Sequence, residues 1–149
     1  MTAMHVVNTT RSTILGSRVL LLNRWWSRLR GFLGRPAPSN GEGVILTPCT
    51  AVHMFGMRFP LDVVFLDDKG VVVALYAELA PGSRTRVETL ASHALELPSG
   101  SIAASGTELG DRVSWKSAPR VVNQRGSDSL NGDGQRTSHQ STPTGGKNP

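Results

Sequence analysis

The sequence predicts a mainly β (α+β) protein, a small barrel-like antiparallel β domain carrying one or two short helices. Three observations predict it. Leu61–Leu66 and Val71–Tyr76 are β-branched runs joined by Asp67-Asp68-Lys69-Gly70, the composition of a hairpin turn. Val63-Val64-Phe65-Leu66 and Val71-Val72-Val73 put apolar side chains on both sides of each strand, so both faces must be covered, as in a small barrel or a helix-capped sheet. The remaining apolar segments are short and punctuated by Gly and Pro, and the stretch following Asn23 carries a helical period.

The elements follow in order. Residues 1–16 read as a flexible N-terminal segment ahead of a single globular domain over 17–116. Val19 to Leu22 is a short strand. Asn23 is a good N-cap for a helix through RWWSRLRGFLG, in which Trp25, Leu29, Phe32 and Leu33 recur at i, i+4, i+7 and i+8 and Gly34, Pro36 and Pro38 end the pattern. Arg24, Arg28 and Arg35 fall mostly off that apolar stripe and form an exposed basic face.

Val44 to Thr47 opens the β-rich part, followed by Pro48 and the dense stretch CTAVHMFGMRFP. After the hairpin, ELAPGSRTRVETLAS is a connection that turns at Pro81-Gly82. HALELP alternates, with Leu95 and Leu97 on one side and Ala94 and Glu96 on the other. Ser99 is placed to cap a helical turn through Ile102 and Ala103 that Gly106 ends, and Leu109-Gly110-Asp111 turns into a last strand, Arg112 to Lys116. Residues 117–149 are rich in Gly, Ser, Thr, Asn and Pro and read as a disordered polar tail.

Bulk properties narrow the function classes. The chain has 149 residues, 38% of them hydrophobic, enough for one core. Its one cysteine, Cys49, excludes an intramolecular disulfide and a tetra-cysteine zinc site. The N-terminus lacks a secretory pattern, and apolar runs such as VLLL and VVFL are too short to span a bilayer, so the expectation is a soluble cytoplasmic protein without a membrane span. The net charge of +5 is local: residues 1–35 hold six arginines and no acid, and the rest of the chain is nearly balanced.

Metal and nucleophile readings are weak on spacing, which disfavours Cys49 with His53 and leaves His93 as the possible base for a Cys49 nucleophile. Cys49 and His53 share a face of an extended strand only about 13 Å apart at ~3.3 Å per residue, too far for one ion or one dyad. With Asp62, His93 and Glu96 they make a weak Cys/His/carboxylate pattern, and no metal, cofactor or catalytic residue is assigned. Phosphate-loop glycine patterns are absent from the sequence. Asp62 and Glu96 each interrupt an apolar strand, so each is either exposed or held by partners, because an unpaired buried charge is costly. If His53, Met57, Arg58, Asp62 and Glu96 converge, they make a polar spot in an apolar cavity, the usual composition of a small-ligand site. The alternative for the carboxylates is structural, as a buried ion pair or as caps on loop N–H groups.

The runs WSRLRGFLGR, GEGVILTPCTAVHMFGMRFPLDVVFLDDKGVVVAL, HALELPSG and LGDRVSW resemble, in order and spacing, the family called domain of unknown function 192. The resemblance covers roughly residues 17–116 and implies a compact, mostly β domain with small helices. Met54 departs from the small polar residue that the resemblance implies after His53, and Gly56 stands where it implies a bulky aromatic.

The leading reading is a non-enzymatic domain that binds an unknown small molecule or a protein partner near residues 53–62. A second reading is a hydrolytic or metal-assisted enzyme built on Asp62, Glu96 and a histidine. A third makes Arg24, Arg28 and Arg35 a face for nucleic acid or an acidic partner, with nucleic acid the less favoured. The sequence assigns no oligomeric state.

Overall fold

A computed structural model describes residues 2–23 and 32–119. Its elements are β1 Ala3–Asn8, β2 Thr13–Leu22, β3 Glu42–Leu46, β4 Leu61–Leu66, β5 Val72–Leu79, β6 His93–Pro98, a short helix α1 Ser101–Ser105, and β7 Val113–Ser117. The strands form one seven-stranded sheet in the order β5-β4-β6-β3-β2-β1-β7. Its pairs are antiparallel apart from β2 and β3, which run parallel, so the sheet is mixed rather than purely antiparallel.

The sheet is mostly β structure with one short helix among the described residues, and it is not closed into a barrel. β5 and β7 lie at its two ends and meet at one corner only, through the bridge between Val71 and Arg112. There the Val72 N–H donates to Asp111 O at 2.9 Å and the Val113 N–H donates to Gly70 O at 2.8 Å. The inner face is nevertheless barrel-like: every strand supplies a buried residue to one cluster, from Val6 in β1 to Val113 in β7, and Ile102 of α1 joins it. The outer face of β3, β4 and β6 carries a second cluster, in which Val44, Val63, Phe65 and Ala94 pack under Phe32, Val52 and Met54 from the loops. Both faces of the central strands are therefore buried, as the apolar runs demand.

Asp67 builds the expected turn of the β4–β5 hairpin. Its Oδ1 accepts the N–H groups of Lys69 and Val71, both at 2.9 Å, and Gly70 N–H closes on Asp67 O at 3.0 Å. A Cβ on Gly70 would lie 2.3 Å from Val113 O, and its φ of +82° adds to the requirement for glycine.

The N-terminal segment differs from the expectation of flexibility. Residues 3–8 are β1, which sits inside the sheet between β2 and β7, and Val6 and Asn8 are fully buried. Its ladder partners in β7 come more than a hundred residues later, so nothing local in MHVVN announces a strand. The helix expected after Asn23 falls on residues 24–31, outside the described residues, as do Arg24 and Arg28. The tail lies outside them from residue 120 onward, and its first residue, Ser117, closes β7. Ser99 does not cap α1: Gly100 stands at the N-cap without a side-chain hydrogen bond, and the capping oxygen comes from β4.

Candidate functional site

Period two and the strand register decide where the two carboxylates go. In β4, Val63 and Phe65 face the outer cluster while Val64 and Leu66 face the inner one, which puts Asp62 on the inner side. In β6, Ala94 belongs to the outer cluster and Leu95 and Leu97 to the inner, which puts Glu96 on the outer side. Asp62 and Glu96 thus lie on opposite faces of the sheet, and the expected converging set of His53, Arg58, Asp62 and Glu96 is not formed.

Asp62 is fully used by the fold. β5 carries a bulge opposite it: Leu61 pairs Leu79 and Val63 pairs Tyr76, leaving Ala77 and Glu78 against Asp62 alone. Glu78 has a φ of +52°, and its N–H donates to Asp62 Oδ1 at 2.8 Å. Oδ2 accepts the Ile102 N–H at 2.8 Å and so caps α1 from across the core. The capping alternative describes this carboxylate.

Glu96 is buried among apolar side chains, and the Phe32 N–H donates to its carboxylate. Its Oε2 has no hydrogen-bond partner among the described residues. Burial, opposed weakly by the Phe32 bond, raises its pKa to about 7. His93 lies on the other face, at the far end of β6. Its Nδ1 is 2.8 Å from Thr47 Oγ1 and its ring meets Trp115 edge-on at 5.0 Å, and burial lowers its pKa. No group of three or more His, Cys, Asp or Glu side chains suited to a metal occurs among the described residues.

Two clefts flank the loop that carries the dense sequence stretch. The first, about 540 Å³, lies between Phe32–Ala37 and Gly56–Phe59. Phe32, Leu33, Met57 and Phe59 give it apolar walls, with the Phe32 and Phe59 rings edge-to-face at 6.5 Å. Arg35 and Arg58 also line it, and neither is ion-paired among the described residues. Gly56 keeps it open, since a Cβ there would lie 3.0 Å from Leu33 Cδ1. Glu96 holds the Phe32 backbone behind this wall rather than lining the cleft. The second cleft, about 500 Å³, contains His53 together with Arg84 and Arg86.

The structure thus brings together Met57, Arg58 and Arg35, places His53 in a separate cleft, and buries Asp62 and Glu96. Sequence reasoning misses the pairing of Arg35 with Arg58, because residues 35 and 58 meet only when the two loops fold over the outer face. It also misses the weight carried by Asp111, which it reads as a turn-former. Asp111 Oδ2 accepts from Arg11 Nε at 2.6 Å, Asn8 Nδ2 at 2.9 Å and the Glu108 N–H at 2.9 Å. These donors hold its pKa down to about 2.

The profile of the family domain of unknown function 192 (DUF192, Uncharacterized ACR) matches residues 6–115. The chain belongs to the DUF192 family. A UPF0127 protein of Thermococcus sibiricus is 29% identical over 115 residues, covering 74% of each chain. A crystal structure of a protein of unknown function from Novosphingobium aromaticivorans superposes with a TM-score of 0.66 at 23% identity, covering 76% of this chain and 84% of that one. A crystal structure of a putative transcription regulator from Sinorhizobium meliloti gives a TM-score of 0.64 at 21% identity, covering 76% and 92%. At such identities these structures establish that the DUF192 chain shares their fold. No described helix is long and apolar enough to cross a membrane.

Proposed function

We propose that this DUF192 domain is a non-enzymatic binding module whose first cleft takes a small molecule with an apolar body and an anionic head. The observation that carries the reading is the presence of two guanidinium groups without an ion-pair partner among the described residues, Arg35 and Arg58, in a cleft whose apolar walls include Phe32, Leu33, Met57 and Phe59. Its volume, about 540 Å³, falls in the range of small-molecule sites. Arginine matches a carboxylate with two parallel N–H donors, and the apolar walls supply burial for a chain or ring. Asp62 is spent on backbone caps and Glu96 is buried behind the Phe32 wall, so neither carboxylate lines this cleft.

Calorimetric titration with octanoate and with octanol tests this. Octanoate binds more tightly than octanol, and Arg35→Gln and Arg58→Gln each weaken octanoate binding about tenfold, the cost of one charge-assisted hydrogen bond. Equal affinities for acid and alcohol, or octanoate binding unchanged in both variants, would overturn the proposal.

A further inference from the structure

The second cleft has a different architecture. Residues 52–54 and 83–85 form a minimal antiparallel ribbon around a single bridge, His53 with Arg84: Met54 N–H donates to Ser83 O at 2.7 Å and Thr85 N–H to Val52 O at 2.9 Å. Val52 N–H adds a bond to Thr85 Oγ1 at 3.0 Å. Val52, Met54 and Thr85 are buried, and in an extended chain their neighbours point the other way. His53, Arg84 and Arg86 are accordingly exposed on one outward side, since bridged residues share a side of the ribbon, and Phe55, exposed at the turn that follows, joins them by stacking on His53.

That face has a specific composition. The Phe55 ring lies on the His53 imidazole, centroids 5.1 Å apart and planes 26° from parallel. Phe55 is 52% exposed, a large aromatic held in water on a buried methionine anchor. Neither Arg84 nor Arg86 is ion-paired among the described residues. The nearest acid in sequence, Glu88, is engaged by the Tyr76 hydroxyl at 2.5 Å. A planar stacked surface beside two guanidinium groups that have no ion-pair partner among the described residues complements a ligand that alternates flat bases with phosphates.

We infer that the outward face of this ribbon binds single-stranded nucleic acid, one base stacking on Phe55 and the flanking phosphates pairing with Arg84 and Arg86. A polyanion without bases has no use for the aromatic pair. A duplex hides its base faces.

Fluorescence anisotropy of the full chain with a labelled oligothymidylate tests the inference over a range of salt. The expected result is saturable binding with a salt dependence that flattens by about 1.4 in log–log slope in Arg84→Gln/Arg86→Gln, the share of two phosphate contacts on a single strand. Phe55→Leu, which keeps apolar volume but removes the π face, weakens binding about tenfold with the slope unchanged, and Phe55→Trp retains it. Absence of saturable binding at low salt would overturn the inference. So would an affinity and slope identical in all variants, which would assign the oligonucleotide to arginines elsewhere in the chain. Polyglutamate binding that is as tight as oligothymidylate and indifferent to Phe55→Leu would make the face an acidic-protein surface instead.

Discussion

Glu96 is the residue whose environment most sharply separates its two protonation states. Its pKa stands at about 7 against an ordinary 4.5 because burial desolvates the ionised carboxylate, and one of its oxygens has no hydrogen-bond partner among the described residues. The folded chain then holds the proton more tightly than the unfolded chain. Stability is greatest below the ordinary pKa and falls as pH rises toward 7, by roughly 3 kcal/mol across that window. Glu96→Gln keeps an acceptor for the Phe32 N–H and removes the charge, so urea midpoints that decline for the parent between about pH 5 and 8 become nearly level for the variant. Asp62 is a carboxylate whose removal costs stability, because both of its oxygens accept backbone N–H groups. Asp62→Asn leaves one of the two N–H groups, of Glu78 or Ile102, facing an amide NH₂, and lowers unfolding free energy by about 1–3 kcal/mol without changing octanoate affinity. Asp111 works at the acid end: its pKa is held down to about 2, so its contribution is present above the ordinary carboxylate pKa and is lost as pH falls toward 2.

The strands show what local pattern reveals and what it hides. The β4–β5 hairpin is legible because its turn chemistry, Asp67 to Gly70, is contiguous with its two β-branched runs. β6 is legible from its Leu95/Leu97 spacing, and the burial of both faces from the unbroken apolar run in β4. β1 is not, because its strand character depends on partners in β2 and β7 and on Asn8, whose side chain reaches Thr107 and Asp111. Deleting residues 1–9 therefore strips the ladder from β2 and β7 and opens the inner core at Val6, and thermal melting of that truncation is expected to show no cooperative transition, whereas a flexible leader would leave the melt unchanged. The opposed placement of Asp62 and Glu96 is a question of register between β4 and β6, where Val63 pairs Glu96, and neither strand alone contains that information.

On the scale of the whole molecule, the sheet separates structure from surface chemistry. Its inner face gathers a residue from every strand and uses Asp62 to tie the β5 bulge to α1. Its outer face is roofed by the loops around Phe32 and Met54, and the clefts open beside that roof, the first lined by Arg35 and Arg58 and the second by His53, on which Phe55 stacks. Of the site residues the sequence suggests, Met57 and Arg58 meet in one cleft, His53 belongs to the other, and the two carboxylates hold the frame. The most direct test of the central claim is a two-dimensional amide NMR titration of the intact chain with octanoate. Saturable shifts confined to residues 33–37 and 56–59, lost in Arg35→Gln/Arg58→Gln, are the predicted result. Shifts centred on another surface, or none in these two loops at saturating octanoate, would contradict it.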